Sequence, residues 1–249
     1  MKKIFSMFAF VAMCVVLFTA CEGLDFGTGK KDKYPVSGTH NGHDYVDLGL
    51  SVMWATCNIG AKNPEDYGDY FAWGEVEPKT VYNWHTYKFA QYVTDTTIVF
   101  TKYCNLSDDA KDGIVDNKYV LDLEDDAARV NWGGKWRMPT TDEINELMNR
   151  CFWNSHVHTS SDGDIDYSDG WQIMGAEGAN NNYMFLPAAG YMIEDVLYDE
   201  ESEDNVGCYW SNRLSSENSS LAYYIWATQW SAASRAVGLT IRPVLDLNE

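Results

Sequence analysis

The chain has 249 residues and carries 37 acidic against 18 basic side chains, so its formal net charge is −19 at pH 7. A surface this acidic repels phosphate backbones, which excludes nucleic acid as an expected partner. The length suffices for one large domain or two small ones.

The first predicted element is an export signal. Lys2 and Lys3 precede an uncharged run, Ile4–Ala20, that ends in small residues directly before Cys21. This arrangement resembles a bacterial lipoprotein signal, which implies removal of residues 1–20 and acylation of Cys21. The mature chain would then be an outer-membrane lipoprotein of the cell envelope, exposed at the cell surface and held in the membrane by its acyl chains. The alternative is an uncut signal anchor, because 17 uncharged residues lie near the lower limit for a membrane span.

A flexible linker is predicted after the signal. Glu22–Ser37 is rich in glycine and lysine and poor in apolar residues. We therefore expect an acylated N-terminus and linker over residues 21–37, followed by a single domain over residues 38–249.

Strands and two helices are predicted in the first half of this domain. Tyr45–Leu50, Val52–Thr56 and Tyr70–Trp73 have the composition of short strands. Asp122–Val130 begins with acids and precedes two glycines, which predicts a helix. A second helix is predicted from Thr140, because Thr140–Glu143 matches a capping box and apolar residues recur behind it at helical spacing.

The remainder of the chain is predicted to form strands and long loops. The acid-rich segment Asp195–Asn205 is expected to be a solvated loop. The predicted strands are Trp171–Met174, Tyr183–Leu186, Gly207–Asn212, Leu221–Thr228 and Val237–Val244. Two helices before a set of antiparallel strands predict an α+β fold with much irregular loop.

Several segments, in order, resemble the Fibrobacter succinogenes major paralogous domain family. They are Val52–Gly60, Asn63–Glu75, Asp125–Glu143, Phe185–Tyr191, Tyr209–Ser211 and Ile241–Val244. The resemblance implies a C-type-lectin-like fold, with two helices packed on twisted antiparallel sheets, in an exported lipoprotein of a Bacteroides-type bacterium. The implied fold is also related to that of the formylglycine-generating enzyme domain. The family has no settled activity, so the resemblance implies no particular reaction.

The cysteines after Cys21 permit two interpretations. Four of them follow in an exported chain, which allows two disulfides with three possible pairings. Buried free thiols are the alternative. The four are Cys57, Cys104, Cys151 and Cys208.

An acidic loop is a candidate calcium site. Asp162, Asp164 and Asp166 are hard oxygen ligands close together in sequence. The EF-hand pattern fails, because its sixth and twelfth positions counted from Asp162 are Tyr167 and Ile173. The alternative is a solvated loop without a metal, and no other cofactor is expected.

The candidate ligand-binding surface lies in the C-terminal strands, where aromatic, amide and arginine side chains occur together, as they do in the binding surfaces of antibodies. Half of these side chains must point inward, because neighbours on a strand face opposite ways. The candidate residues are Tyr209, Trp210, Asn212, Arg213, Trp226, Gln229, Trp230 and Arg235.

These observations predict a non-enzymatic binding module for a glycan or protein ligand, displayed on the cell surface. The sequence lacks a nucleophile elbow, a zinc-protease motif and a phosphate-binding loop. A structural subunit of a surface appendage or outer-membrane assembly is the alternative. An enzyme related to the formylglycine-generating enzyme is the third, although Cys208 has no second thiol near it in the sequence.

Overall fold

Short antiparallel strands make up most of the regular structure. The computed structural model describes residues 34–159, 165–178, 181–199, 207–226 and 228–247, without the side chains of residues 156–159 and 165–169. Tyr34–Glu249 form one compact unit. The predicted signal, Cys21 and most of the predicted linker lie outside the described residues.

The described residues contain fifteen strands and two α-helices. The helices are α1 (Ala127–Trp132) and α2 (Thr141–Arg150), and two short 3-10 turns cover Lys111–Gly113 and Leu123–Asp125. The strands are β1 (Gly38–His40), β2 (His43–Val46), β3 (Met53–Ala55), β4 (Ala90–Tyr92), β5 (Ile98–Phe100), β6 (Trp136–Arg137), β7 (Phe152–Thr159), β8 (Ile165–Met174), β9 (Tyr183–Pro187), β10 (Tyr191–Ile193), β11 (Val196–Tyr198), β12 (Cys208–Leu214), β13 (Leu221–Trp226), β14 (Gln229–Ser234) and β15 (Val244–Leu245).

A five-stranded sheet joins the two ends of the described chain. Its strand order is β1-β2-β3-β15-β6, and all of its pairs are antiparallel. Val244 pairs with Trp54 on one side and with Arg137 on the other. The last strand in sequence therefore lies inside the sheet, next to one of the first.

Two three-stranded sheets and two hairpins complete the strand pairing. The sheets have the orders β7-β8-β9 and β12-β13-β14, and the hairpins are β4–β5 and β10–β11. Mostly antiparallel sheets with two helices make this an α+β architecture, as the sequence predicts. Over the described residues, no helix is long and apolar enough to cross a membrane.

Helix α1 begins later than the sequence predicts. The Asp126 side chain accepts a hydrogen bond from the backbone N–H of Arg129 and so caps the helix. The preceding residues form the 3-10 turn Leu123–Asp125 instead of a first helical turn. Gly133, at a φ of +65°, ends the helix where the glycine pair predicts its end.

Helix α2 confirms its prediction in detail. The Thr140 hydroxyl accepts from the Glu143 backbone N–H, and the Glu143 carboxylate accepts from the Thr140 backbone N–H. Ile144 and Leu147 are buried on one face of the helix. A salt bridge from Arg137 in β6 reaches the same glutamate and fixes the start of the helix against the five-stranded sheet.

Two large apolar clusters form the core. The first contains Trp73, Trp136 and Trp210, and the second contains Trp54 and Leu147. The sheet β12-β13-β14 contributes to both, because Trp210 belongs to the first cluster while its neighbour Tyr209 belongs to the second. This sheet is therefore covered on both faces.

The structure changes three strand predictions. Tyr70–Trp73 forms only a single bridge, from Phe71 to Leu239, and is not a strand. The predicted strand Val237–Val244 is reduced to isolated bridges followed by β15. Part of the predicted acidic loop, Val196–Tyr198, is strand β11.

Candidate functional site

Several of the aromatic residues predicted to bind a ligand are core residues. Tyr209 and Trp210 are almost completely buried. The Tyr209 hydroxyl donates to the carbonyl of Pro187 at 2.7 Å, and the Trp210 indole N–H donates to the carbonyl of Phe71 at 2.8 Å. Asn212 is also buried. The prediction for these three residues is wrong, because packing on both faces of the sheet leaves them no contact with a surface ligand.

Arg235 is likewise a core residue. Its exposed fraction is 0%, and its guanidinium donates to the backbone carbonyls of Tyr103 and Lys102. The guanidinium carbon lies 3.9 Å from the centre of the Phe100 ring. The side chain holds the loop around Tyr103 to the end of β14, so its prediction as a ligand-binding residue is wrong.

The remaining candidates lie at or near the surface. Trp230 is half-buried and its indole N–H donates to the Asn145 side chain on α2, which makes it a link between sheet and helix. Gln229 is exposed and pairs across the hairpin with Trp226. Arg213 is half-buried beside Val120. Trp226 lines a cavity of substantial volume between two hairpins of the described chain.

This cavity has a volume of about 530 Å³ and opens between the β10–β11 hairpin and the β13–β14 hairpin. Cavities of this size hold small organic ligands or protruding side chains. Its lining residues are Gly190, Tyr191, Ile193, Tyr198, Asp199, Cys208, Tyr224, Trp226, Ser231, Ala233, Ser234, Val237 and Leu239.

One wall of the cavity is an exposed apolar face of the β10–β11 hairpin. Tyr191 pairs with Tyr198 across the hairpin, and their rings stack at 5.2 Å with an angle of 11° between the planes. Ile193 pairs with Val196 on the same face. All four side chains are at least 36% exposed. Exposed large apolar side chains grouped in this way mark an interaction surface.

Three backbone contacts hold this hairpin in place. Met192 and Gly238 exchange two hydrogen bonds of 2.8 and 2.9 Å. Glu194 and Tyr82 exchange a second pair. Gly190 forms a bridge with Gly207, directly before β12. The backbone that carries the aromatic wall is therefore held in place, which reduces the entropic cost of ordering it when a ligand binds.

The opposite wall comes from the sheet β12-β13-β14. Tyr224 and Trp226 lie on the same face of β13 as Ser231 of β14, since Tyr224 pairs with Ser231. The Tyr224 ring also packs edge-on against buried Trp210 at 6.0 Å. Both cavity aromatics of β13 are half-buried and thus fixed from behind by the first core cluster.

The charge of the cavity is negative. Among the described residues that line the cavity, Asp199 supplies the single carboxylate, and none is a lysine or an arginine. Burial raises the pKa of the Cys208 thiol to about 12, so this group is a neutral part of the floor. Ser231 and Ser234 add two hydroxyls. The lining therefore combines aromatic faces with one anionic group.

No family model, no curated protein and no solved structure matches this chain in comparisons with known proteins. The functional proposal therefore rests on the chemistry of the cavity.

The predicted calcium ligands lie beyond what the structure describes. Asp162 and Asp164 fall outside the described residues, and Asp166 belongs to β8 without a described side chain. A different acidic group, Asp122, Glu124 and Asp125, brings its oxygens together. The ammonium of Lys102 lies 2.7, 3.2 and 2.5 Å from these three carboxylates. Lys118 and Lys88 form further ion pairs with Asp122 and Asp125, so three ammonium groups balance the three carboxylates. This cluster is an ion-pair network that holds two loops together.

Within the described residues, Cys57, Cys104, Cys151 and Cys208 form no disulfide bond. Cys104, Cys151 and Cys208 are buried, and Cys57 is half-buried. Burial raises the pKa of the Cys57 thiol and, to about 11, that of Cys151. Reactive cysteines require a lowered pKa, so these two thiols are suited to packing.

A second, polar cavity of about 200 Å³ lies beside β2 and the residues that follow β3. Its lining includes His43, Cys57 and Trp132. The His43 ring stacks on Trp132 at 3.8 Å, and burial lowers the pKa of this histidine. The larger cavity has more than twice the volume of this one, so we place the candidate site there.

Sequence reasoning missed the β10–β11 hairpin, although a signal for it exists. Tyr191–Ile193 and Val196–Tyr198 are apolar triplets around the two residues Glu194 and Asp195. Two short apolar runs separated by two residues predict a hairpin. The acidic residues that follow this segment favour the prediction of a solvated loop instead.

Proposed function

We propose that this protein is a surface-anchored lipoprotein that binds a glycan or protein ligand without covalent chemistry. The observation that carries the proposal is the 530 Å³ cavity between two hairpins, with Tyr191, Tyr198, Tyr224 and Trp226 in its lining. Rigid aromatic side chains offer large contact areas at a small entropic cost, which is typical of binding sites.

The lining favours binding over catalysis. Hydrolysis of a glycosidic bond usually requires two carboxyl groups, whereas Asp199 is the one carboxyl group among the described lining residues. Covalent catalysis by a thiol requires a thiolate, whereas burial keeps Cys208 protonated. Ligand capture needs neither group.

The anchor and the finer fold assignment belong to the same proposal. The basic, apolar and small-residue segments before Cys21 support a lipid anchor at that residue. The ordered motif string and the α+β architecture support a C-type-lectin-like domain of the family that the sequence resembles. A domain fixed to a surface gains avidity toward ligands that display repeated groups.

A structural role in a surface assembly is the alternative that one observation favours. Ile193 and Val196 extend the apolar face of the β10–β11 hairpin, and they are 39% and 46% exposed. Such a face suits a permanent protein contact. Crosslinking on intact cells tests this alternative, because every copy of a structural subunit would be crosslinked to the same neighbouring protein.

The experiment that tests binding is a glycan-array and pull-down screen with Tyr198→Ala and Trp226→Leu. The matched controls are Phe152→Ala and Ile114→Ala, at side chains that are 70% and 75% exposed and do not line the cavity. We expect the two cavity variants to lose the captured ligand and the two controls to retain it. Capture of the same ligands by both cavity variants at wild-type levels would contradict the assignment of the site.

A further inference from the structure

We infer that the cavity receives a lysine side chain of a partner protein. This inference rests on the proposed function and specifies its ligand: a peptide segment whose ammonium group enters between the two hairpins. Charge, wall chemistry and an open strand edge each support it.

The charge of the site selects a cation. Asp199 is the single charged residue in the described part of the lining, and the chain as a whole carries a net charge of −19. A strongly negative protein attracts cations and repels anions, and a concave site concentrates this effect. An anionic group such as a sialic acid or a phosphate would enter against this field and meet no basic lining side chain.

The walls suit a long apolar stem that ends in an ammonium group. Ile193, Val237 and Leu239 provide apolar contacts, while tyrosine and tryptophan rings provide electron-rich faces. Lysine places its methylene groups on apolar surface and its ammonium over aromatic rings. A sugar ring would need hydrogen-bonding groups along its length, and apart from the tyrosine hydroxyls and the indole the polar side chains of the lining are Asp199 and two serines.

The edge of the sheet favours a peptide as the source of the cation. Among the described residues β14 pairs with β13 alone, and no described strand pairs with its other edge. Ser231 and Ala233 of this edge strand line the cavity. A partner segment that runs along β14 as an added strand would thus bring one of its side chains to the cavity mouth.

The test is an NMR titration of the tryptophan indole N–H signals of the whole domain, with Trp226 assigned from a Trp226→Phe variant. The probes are acetylated and amidated pentapeptides with a central lysine, norleucine, acetyl-lysine or arginine among alanines, and cellohexaose as a neutral sugar. We expect the lysine peptide to shift the Trp226 signal and to bind about tenfold more tightly than the norleucine peptide. Equal or tighter binding of the norleucine or acetyl-lysine peptide would overturn the inference, as would preferential binding of the arginine peptide.

Two matched variants separate the local charge from the net charge. Asp199→Asn and Asp195→Asn each remove one negative charge from the same hairpin, and only Asp199 lines the cavity. We expect Asp199→Asn to weaken lysine-peptide binding about fivefold or more and to leave norleucine-peptide binding unchanged. Asp195→Asn should leave both unchanged. An equal loss in the two variants would attribute the effect to net charge and refute the lysine site.

The failure of this inference is distinguishable from failure of the proposed function. If cellohexaose shifts the Trp226 signal and the lysine peptide does not, the cavity is a sugar site and the inference alone is wrong. If no probe shifts that signal and the screen with the cavity variants finds no ligand, both are wrong. Circular dichroism of each variant establishes that a lost signal does not result from unfolding.

Discussion

The guanidinium of Arg235 lies 3.9 Å from the centre of the Phe100 ring and 5.3 Å from that of Tyr87. Its charge is met inside the core by these two rings and by the backbone carbonyls of Tyr103 and Lys102. Guanidinium groups are less strongly hydrated than ammonium groups and stack well on aromatic rings, which makes such burial tolerable. The side chain is a structural element of the domain.

Replacement of Arg235 should therefore reduce stability without changing ligand binding. Arg235→Met leaves one buried and one partly buried carbonyl without their donor, which should lower the free energy of unfolding by about 2–4 kcal/mol. The control is Arg150→Met, because Arg150 is half exposed in a salt bridge with Glu146 and should cost at most about 1 kcal/mol. Urea denaturation measures both. A stable Arg235→Met protein with lost binding would restore Arg235 as a ligand residue.

The link between Trp230 and Asn145 should show coupling in a double-mutant cycle. Trp230→Phe removes the indole donor and Asn145→Ala removes its acceptor on α2. A hydrogen bond of this kind contributes about 0.5–1.5 kcal/mol, so the double variant should lose less than the sum of the singles by that amount. Strict additivity would contradict the contact.

Gly190 should be essential to the wall of the cavity. Its φ is +60°, and a Cβ atom there would collide with the backbone carbonyl of Tyr198. The control is Gly42→Ala, since Gly42 has a φ of +85° and nothing within 4 Å of a Cβ atom. The control should cost about 1 kcal/mol for conformation alone, and Gly190→Ala about 2 kcal/mol more. Thermal denaturation of the two variants compares these losses.

Acid should weaken the network around Asp125. Burial acts to raise the pKa of this carboxyl, but hydrogen bonds from Lys102, Lys88 and Tyr103 outweigh it and hold the pKa below its usual range. A group with a lowered folded-state pKa stabilises the fold above its unfolded pKa of about 3.9, and this contribution is lost as the pH falls further through the folded value.

Asp125→Asn should therefore destabilise the protein at neutral pH, and its difference from the wild type should shrink below about pH 4. The control is Asp95→Asn, at an exposed position in the β4–β5 loop, which should follow the wild type throughout. Denaturation at a series of pH values measures the difference. A difference that stays constant down to about pH 2 would show that the carboxylate charge contributes nothing.

Local signals predicted local structure well. The capping box at Thr140 and the helix stop at Gly133 are contained in a few neighbouring residues, and both are observed. The predicted start of α1 was wrong because Asp122 and Asp125 form ion pairs with Lys102, which is distant in sequence. No local pattern could show that these acids serve a tertiary ion-pair network in place of a helix N-terminus.

The sequence predicted the strands beside the candidate site, but of the eight predicted residues only Trp226 is among the described residues that line the cavity. Alternation along β13 shows that Trp226 and Ile225 face opposite ways, but it does not say which face is open. The sheet is packed on both faces, so the open part depends on where the β10–β11 hairpin stops covering it. Arginine and tryptophan in a polar context suggested a ligand surface, whereas Arg235 and Trp210 satisfy buried carbonyls.

The position of β15 inside the five-stranded sheet has a consequence for how the protein reaches its native state. Val244 connects β3 to β6, and the nearby Arg242 donates to the carbonyls of Ala55 and Thr56. A chain that emerges amino end first from a ribosome or a translocation channel presents β3 and β6 long before their common neighbour. The sheet therefore closes only after nearly all of the domain has emerged, and premature folding on the way out is disfavoured.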